Sequence, residues 1–377
     1  MDTRIRNIAV LGSTGSIGQQ TLDIVRRFPD RFRVIGLACG TNARFLARQI
    51  QEFKPEVVGT SIKTNLPGIS KRLSLDSISA HPDVDLVVIA TTGRVGLNPT
   101  LAAIKAGKTI ALANKEILAM AGELISRMTH QYGAKILPID SEHSAILQCL
   151  QGEESGIHRL LLTASGGPFY GMSGNQLKKV TVDEALAHPT WKMGKKVTID
   201  SATLFNKGLE AIEAHWLFSI PYERIEIVVH RQSIVHSMVE FEDRSIKAQL
   251  SVPDMHLPIQ YALFYPERIY NEDIQHLSFD QMKTLTFEPV NYDSFPCLKL
   301  ALEAGEKGGT YPAVLCAADE IAVELFLQKN IGFAEIAKII ERTLNLHLPT
   351  INPELEDIVI ADGWARETAL KIARKEV

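Results

Sequence analysis

Along the first 140 residues, short uninterrupted apolar runs alternate with stretches whose apolar positions recur every three to four residues. The runs are "NIAVLG", "RVIGLAC", "VDLVVIAT", "TIALA" and "AKILPI". Continuous apolar character over so few residues suits parallel strands buried on both faces. The periodic stretches "GQQTLDIVRRF", "ARFLARQIQEF" and "NPTLAAIKAG" then serve as crossover helices. The alternation predicts an α/β architecture with a Rossmann-like, doubly wound parallel sheet over residues 1–148. From about residue 150 the texture changes. "HRLLLTASGGPFYGMSGN" and "RIEIVVHRQSIVHSMVEFEDRSIKAQLSV" alternate with period 2, and helical segments lie between them, so residues 149–269 read as a central α+β domain. Residues 270–292 are polar and mixed and read as a linker. "FPCLKLALEAG" and "YPAVLCAADEIAVELFLQK" open a C-terminal α-helical bundle domain over 293–377.

One stretch, "TIDSATLFNKGLEAIEAHW" (198–216), combines two patterns. Leu204, Phe205, Leu209, Ile212 and Trp216 supply an apolar stripe, while Ser201, Asn206, Lys207 and Glu210 crowd its start. Asn206 and Glu210 are i,i+4 and Lys207 and Glu210 are i,i+3, so they share one helix surface. They are either a capped, solvated face or part of a binding site. As a site, Ser201, Asn206 and Lys207 offer hydroxyl, amide and ammonium donors for a phosphate.

At 377 residues the chain is too long for one core, and two or three domains are expected. A formal charge of −4 with no Lys/Arg-rich run argues against a nucleic-acid partner. No apolar stretch approaches a membrane span, and "MDTRIRNIAVLGSTG" runs into a strand pattern without a signal peptide's apolar region. Cys39, Cys149, Cys297 and Cys316 contain no C-x-x-C pair, which suggests neither a zinc site nor a disulfide framework. The expectation is a cytoplasmic protein with no membrane partner.

"VLGSTGSIG" places Gly12, Gly15 and Gly18 between a strand and a helix. Such a turn lets backbone approach a pyrophosphate at a helix N-terminus; a tight turn chosen for packing is the alternative. After the second strand, "GLACGTNARFLAR" has no acidic residue for a ribose 2′-hydroxyl, while Arg44 and Arg48 follow one turn apart. That favours the 2′-phosphate of NADPH over a merely solvated helix face.

"LPIDSEHSAILQ" puts Asp140 and Glu142 two residues apart at a strand end, and strand alternation would aim both side chains into the crevice. Two carboxylates there suit Mg²⁺ or Mn²⁺; helix capping by Asp140 or Ser141 is the alternative. "LANKEILA" sets Asn114, Lys115 and Glu116 at another strand end. "TASGGPFYG" offers Ser165, Gly166 and Gly167 as a polar nest or simply a turn. "HPTWKMGKK" (188–196) has Trp191 and Met193 flanking Lys192, with Gly194 following, which suits a lid over a ligand. His188 at its start could touch an anion or be a surface residue.

In order, "GSTGSIG", "LANKE", "DSEHSAI", "ASGGPF", "HPTWKMG", "DSATLFNKGLE", "SIVHSMVEF", "PDMHLPI" and "AADEIAVELFL" resemble the 1-deoxy-D-xylulose 5-phosphate reductoisomerase family across essentially the whole chain. The resemblance implies an NADP-dependent oxidoreductase of the non-mevalonate isoprenoid route. It further implies a homodimer with a sugar-phosphate substrate, in which residues 149–269 are the catalytic and dimerisation domain. Asp140, Glu142 and Glu210 would hold Mg²⁺ or Mn²⁺, with Co²⁺ a further candidate. Ser165, His188, Ser201, Asn206 and Lys207 would bind the phosphate end and hydroxyls, with Lys115 and Ser141 near the reacting carbons. Thr14, Gly15, Ser16, Ile17, Gly40, Thr41, Asn42, Asn114, Glu116 and Gly194 would line the NADPH site. Trp191 and Met193 would sit on the lid, and His236 and Met255 would border the pocket.

The chain departs from the family pattern at Thr41, where many members carry a basic residue, at "HRQS" (230–233), at His256 and at Asp319. Arg231 and His256 are expected to tune the packing of the substrate pocket. A homoserine- or semialdehyde-type dehydrogenase, or a catalytically silent NADPH- or sugar-phosphate-binding sensor, are the alternative functions.

Overall fold

The computed structural model describes residues 4–62, 71–154, 156–191, 193–280, 282 and 284–376. The chain falls into two compact units: Met1–Ile117, Ile125–Ser144 and Asp254–Gln275 form one, and Leu118–Leu124, Ala145–Pro253 and His276–Val377 the other.

In the first unit, β1 (Arg6–Leu11), β2 (Phe32–Cys39), β3 (Val57–Thr60), β4 (Lys71–Arg72), β5 (Leu86–Ile89), β6 (Thr109–Leu112) and β7 (Lys135–Pro138) form one sheet. Its order among the described residues is β4-β3-β2-β1-β5-β6-β7, with all pairs parallel. The strand order reverses between β1 and β5, the switch point at whose carboxyl end open α/β sheets bind ligands. The five apolar runs of the sequence are β1, β2, β5, β6 and β7. The pattern did not single out β3, which is four residues long, or β4, which is an exposed edge pair. Along this part of the chain the unit's helices are α1 (Ser16–Arg27), α2 (Ala43–Phe53), α3 (Leu75–Ser79) and α4 (Leu97–Lys105), with the two ends of α5 (Lys115–Tyr132) and the first turn of α6 (Ser141–Cys149).

The second unit contains β8 (Ile157–Ala164), α7 (Gly174–Leu177), α8 (Val182–Ala185), α9 (Lys195–Ala202), α10 (Phe205–Phe218), β9 (Ile225–Val229), β10 (Val235–Phe241) and β11 (Ile246–Leu250). Helix α11 (His256–Phe264) belongs to the first unit. The chain then returns with β12 (Glu288–Pro289), α12 (Pro296–Lys307), α13 (Tyr311–Leu327), α14 (Phe333–Asn345) and α15 (Leu355–Ala373). The sheet runs β11-β10-β8-β9-β12, with β8 and β9 parallel and the other pairs antiparallel. Strand β12 lies in the stretch expected as a linker, where Tyr170 Oη donates to Glu288 at 2.7 Å.

From sequence, residues 254–269 group with the central segment, yet α11 packs in the first unit on α1, β6 and β7. Its residues Pro258–Phe264 are all buried, so it has no solvated stripe to mark its orientation. The Phe264 ring sits edge-on to Phe28 and Phe32 at 5.0 and 4.9 Å. Arg6 donates to the Leu263 carbonyl at 2.9 Å, and the Lys135 ammonium lies 4.0 Å from the Tyr265 ring centroid.

Residues 198–216 form two helices rather than one. Helix α9 ends at Ala202, and Leu204 takes φ +57° before α10 begins. Thr203 stitches the break: its hydroxyl donates to the Asp200 carbonyl and accepts from the Phe205 amide, at 3.1 and 3.3 Å. Ser201 therefore lies in the last turn of α9, not ahead of a helix start. Helix α10 is buried nearly all round through its first three turns, with Lys207 at 4% and Glu210 and Glu213 at 1% exposure. A solvated charged face is thereby excluded.

Candidate active site

The glycine turn is built for close backbone approach. Gly12 follows β1 at φ +87°, and a Cβ there would lie 2.3 Å from the Ala90 carbonyl oxygen; one on Gly18 would lie 2.3 Å from the Gly12 oxygen. Gly15 caps α1, whose first turn carries no acidic residue, leaving amides and a positive dipole end for an anion. Thr14, Gly15, Ser16 and Ile17 line this turn at the surface or half-buried. Gly40, Thr41 and Asn42 form the exposed turn after the neighbouring β2. Ser61 Oγ donates to the Gly40 carbonyl at 2.9 Å, and Asn42 Oδ1 accepts from the Phe45 amide at 3.2 Å, capping α2. Arg44 and Arg48 are exposed.

At the ends of β6 and β7 the polar residues are packed tightly. Asn114 caps α5, accepting from the Ile117 amide and donating to the Gly93 carbonyl. Lys115 is 8% exposed, and its ammonium lies 2.5 Å from Asp140 Oδ2. Glu116 is buried beside it. Strand alternation does not aim Asp140 and Glu142, because β7 ends at Pro138 and Glu142 already lies in the first turn of α6. The Asp140 carbonyl accepts the Ser144 amide at 2.8 Å, and Ser141 Oγ donates to Glu142 Oε2 at 2.6 Å. The residue before α6 thus carries a buried ammonium on its carboxylate.

In the second unit three sequence-selected residues meet. His188 Nε2 lies 3.1 Å from both Ser165 Oγ and Ser201 Oγ. His188 Nδ1 accepts the amides of Thr190 and Trp191 at 3.1 and 2.9 Å, which assigns the ring proton to Nε2. The imidazole N–H therefore donates to the serine oxygens, and both hydroxyl protons are left to point at an acceptor. Burial pushes the His188 pKa down and keeps the ring neutral. Gly167, at φ +64°, packs where a Cβ would be 2.6 Å from the Ser201 carbonyl oxygen, so the Gly-Gly turn is required by this approach. On α10, Asn206 Nδ2 donates to Glu210 at 2.5 Å, and the buried Lys207 ammonium pairs with the same carboxylate.

The loop after His188 carries Trp191 and Met193, both half-buried; Lys192 lies outside the described residues. The Trp191 ring is 6.3 Å from that of His236, and His236 Nε2 lies 2.8 Å from Ser251 Oγ. Gly194 caps α9. Met255 caps α11 in the first unit.

Protein-family models match three consecutive stretches of the chain. They are 1-deoxy-D-xylulose 5-phosphate reductoisomerase over residues 8–122, its C-terminal domain over 136–218, and the DXP reductoisomerase C-terminal domain over 250–368. The 1-deoxy-D-xylulose 5-phosphate reductoisomerase of Bacillus cereus (strain Q1) is 49% identical over 97% of this chain and 100% of its own length. The chain belongs to the 1-deoxy-D-xylulose 5-phosphate reductoisomerase family. Solved structures agree. The reductoisomerase from Zymomonas mobilis in complex with NADPH superposes with a TM-score of 0.91 at 41% identity, covering 98% of this chain and 99% of that one. A DOX-P reductoisomerase in complex with NADPH, fosmidomycin and magnesium gives 0.91 at 40% identity, covering 98% of each.

Against the reductoisomerase pattern, the departures have definite surroundings. His256 pairs through Nδ1 with Asp254 at 2.7 Å and faces Asp23 of α1 at 3.6 Å, so it ties α11 to α1. The Arg231 guanidinium lies 5.4 Å from the Tyr170 ring centroid. Neither contact touches a residue expected to bind substrate. Among the buried ionisable residues passed over in the sequence are His143 on α6 and Glu213 on α10, 0% and 1% exposed. Their signal was helical spacing, each three residues beyond a selected acid, Asp140 and Glu210.

Proposed function

We propose that this chain converts 1-deoxy-D-xylulose 5-phosphate to 2-C-methyl-D-erythritol 4-phosphate with NADPH and a divalent cation, in the non-mevalonate route to isoprenoid precursors. The observation that carries the reading is the His188 bridge, which turns two serine hydroxyls into donors for one anion. Ser165 and Ser201, with Asn206 and Lys207, hold the substrate's phosphate away from the reacting carbons, and that anchoring lowers the entropic part of the barrier. Asp140, Glu142 and Glu210 hold Mg²⁺ or Mn²⁺, for which an all-oxygen donor set is chemically suited. When bound, the cation supplies Lewis-acid polarisation of the carbonyl and the dinucleotide supplies the hydride. Lys115 and Ser141 orient the reacting end. Residues 14–17 and 40–42 cradle NADPH, with Arg44 and Arg48 available to a 2′-phosphate, and Trp191 covers the pocket and excludes water.

Among the described residues no helix is long and apolar enough to cross a membrane; the enzyme proposed is a cytoplasmic homodimer, as the resemblance to the family implies. The alternatives lack support. All four cysteines are buried, and burial pushes the Cys297 thiol up, so no thiolate nucleophile for a semialdehyde is offered. The test is NADPH oxidation with 1-deoxy-D-xylulose 5-phosphate and Mg²⁺ or Mn²⁺. Turnover is expected, faster with NADPH than with NADH. A folded, metal-loaded sample that binds both ligands without turnover would establish the silent sensor instead.

A further inference from the structure

Asp319 stands on α13 and is fully buried. Across from it on α9, the Lys196 ammonium lies 2.5 Å from Asp200 Oδ2 and 3.0 Å from Asp319 Oδ2. Asp200 is 1% exposed. Two buried carboxyl groups therefore share one ammonium. Both Asp319 oxygens lack a hydrogen-bond donor of good geometry among the described residues. The other ionisable groups near Asp319 do not balance the excess. Glu320, beside it on α13, is bound by Arg366 of α15 at 2.5 Å, and Arg366 also holds Asp362 at 3.0 Å. On α12 the nearby Cys297 thiol is pushed up by its burial and, less, by the two acids. A second carboxylate in such a place takes up a proton rather than stay charged.

We propose that Lys196, Asp200 and Asp319 form a clamp holding a single shared proton, which positions α9, and with it Ser201, against α13. Ser201 follows Asp200 directly and meets His188 Nε2 at 3.1 Å, so the register of α9 sets one of the two serine donors. With the proton in place, Lys196 neutralises one carboxylate and the neutral acid donates to the other. When the proton leaves, two buried carboxylates face each other across the α9–α13 contact and Lys196 balances only one. The clamp then loosens. Burial, against the pull of Lys196, raises the Asp319 pKa, consistent with the proton residing there. Asp319 acts as a positioning residue; the link to phosphate binding rests on the function proposed above, whereas the clamp itself does not.

The test compares the whole chain with Asp319→Asn, which keeps the shape and cannot ionise. Thermal unfolding is followed from about pH 5 to about pH 9 without substrate or metal. A carboxyl whose folded pKa is raised stabilises fully below its unfolded pKa, and that contribution is lost as pH rises through the folded value. The Tm of the Asn variant relative to the parent should therefore climb with pH. A difference that stays flat or falls would overturn the clamp, because Asp319 would then be an ionised partner of Lys196. In turnover, the parent's KM for the sugar phosphate should rise at alkaline pH with kcat little changed, and the Asn variant should lack that rise. Identical KM profiles would refute the positioning role. Absence of turnover in the parent would sink the proposed function and leave the unfolding comparison to decide the clamp alone.

Discussion

Replacing Lys207 by Met tests whether the buried charges of α10 are there for stability or for a ligand. Lys207 and Glu210 are 4% and 1% exposed and pair on one helix face, so Lys207→Met leaves a carboxylate buried without its ammonium. Breaking one side of such a pair costs about 3–5 kcal/mol. Asn206 still donates to Glu210, which puts the expected loss near the lower end, about 3 kcal/mol. At about 2–4 °C per kcal/mol for a unit of this size, Tm should fall by about 6–12 °C. The double variant Lys207→Met/Glu210→Met removes both charges and keeps the volume. It should recover to within about 1 kcal/mol of the parent, because the desolvation of both ions is also removed. Neither variant should turn over substrate. The measurements are calorimetric unfolding of chelator-treated protein and NADPH oxidation with metal restored. A single variant within about 1 °C of the parent would refute the buried-pair energetics. A stable double variant with normal turnover would refute the assignment of both residues to the site.

Gly18→Ala should weaken NADPH binding by about tenfold or more and cost about 1–3 kcal/mol, since the new methyl would meet Gly12 and Ser13 backbone at 2.3 and 2.5 Å; unaltered NADPH affinity in a titration would show that the turn has slack. His256→Ala should destabilise by about 1 kcal/mol or less at mildly acidic pH, and the loss should shrink as pH rises. Asp254 raises the His256 pKa, so the ion pair's contribution is complete below the unfolded value of about 6.5 and disappears as pH climbs through the folded one. A Tm difference independent of pH would mean that the contact with Asp254 and Asp23 is not ionic.

Much of this was legible in the chain because the physics involved is local. Strands buried on both faces read as apolar runs, and β1, β2, β5, β6 and β7 were found that way. Gly12 and Gly18 were legible as a tight turn, although the carbonyls that demand them, Ala90 and Gly12, were not. The break between α9 and α10 was illegible, since no Gly or Pro marks it and Leu is an uncommon residue at positive φ. Asp140 and Glu142 were selected by strand alternation, which does not apply to them: Asp140 lies between β7 and α6, and Glu142 is already in the first turn of α6. Ser165, His188 and Ser201 were each singled out, yet the tautomer that joins them depends on the Thr190 and Trp191 amides, which no residue type announces. Asp319 has no physical account in the sequence alone; the structure supplies one, because Lys196 of α9 lies against both it and Asp200.

The placement of α11 has a consequence for how the protein is made. The first unit is closed by residues 254–275, which leave the ribosome only after residues 145–253 have been added. At about 5–20 residues per second that interval lasts about 5–20 s. Throughout it the nascent seven-stranded sheet shows water the surface of Phe28, Phe32, β6 and β7 that Phe264 and its helix later cover. The same ordering means that a shortened gene ending near residue 148 encodes a nucleotide fold lacking part of its own core. Recombinant dissection of the first unit should therefore graft residues 254–275 onto it.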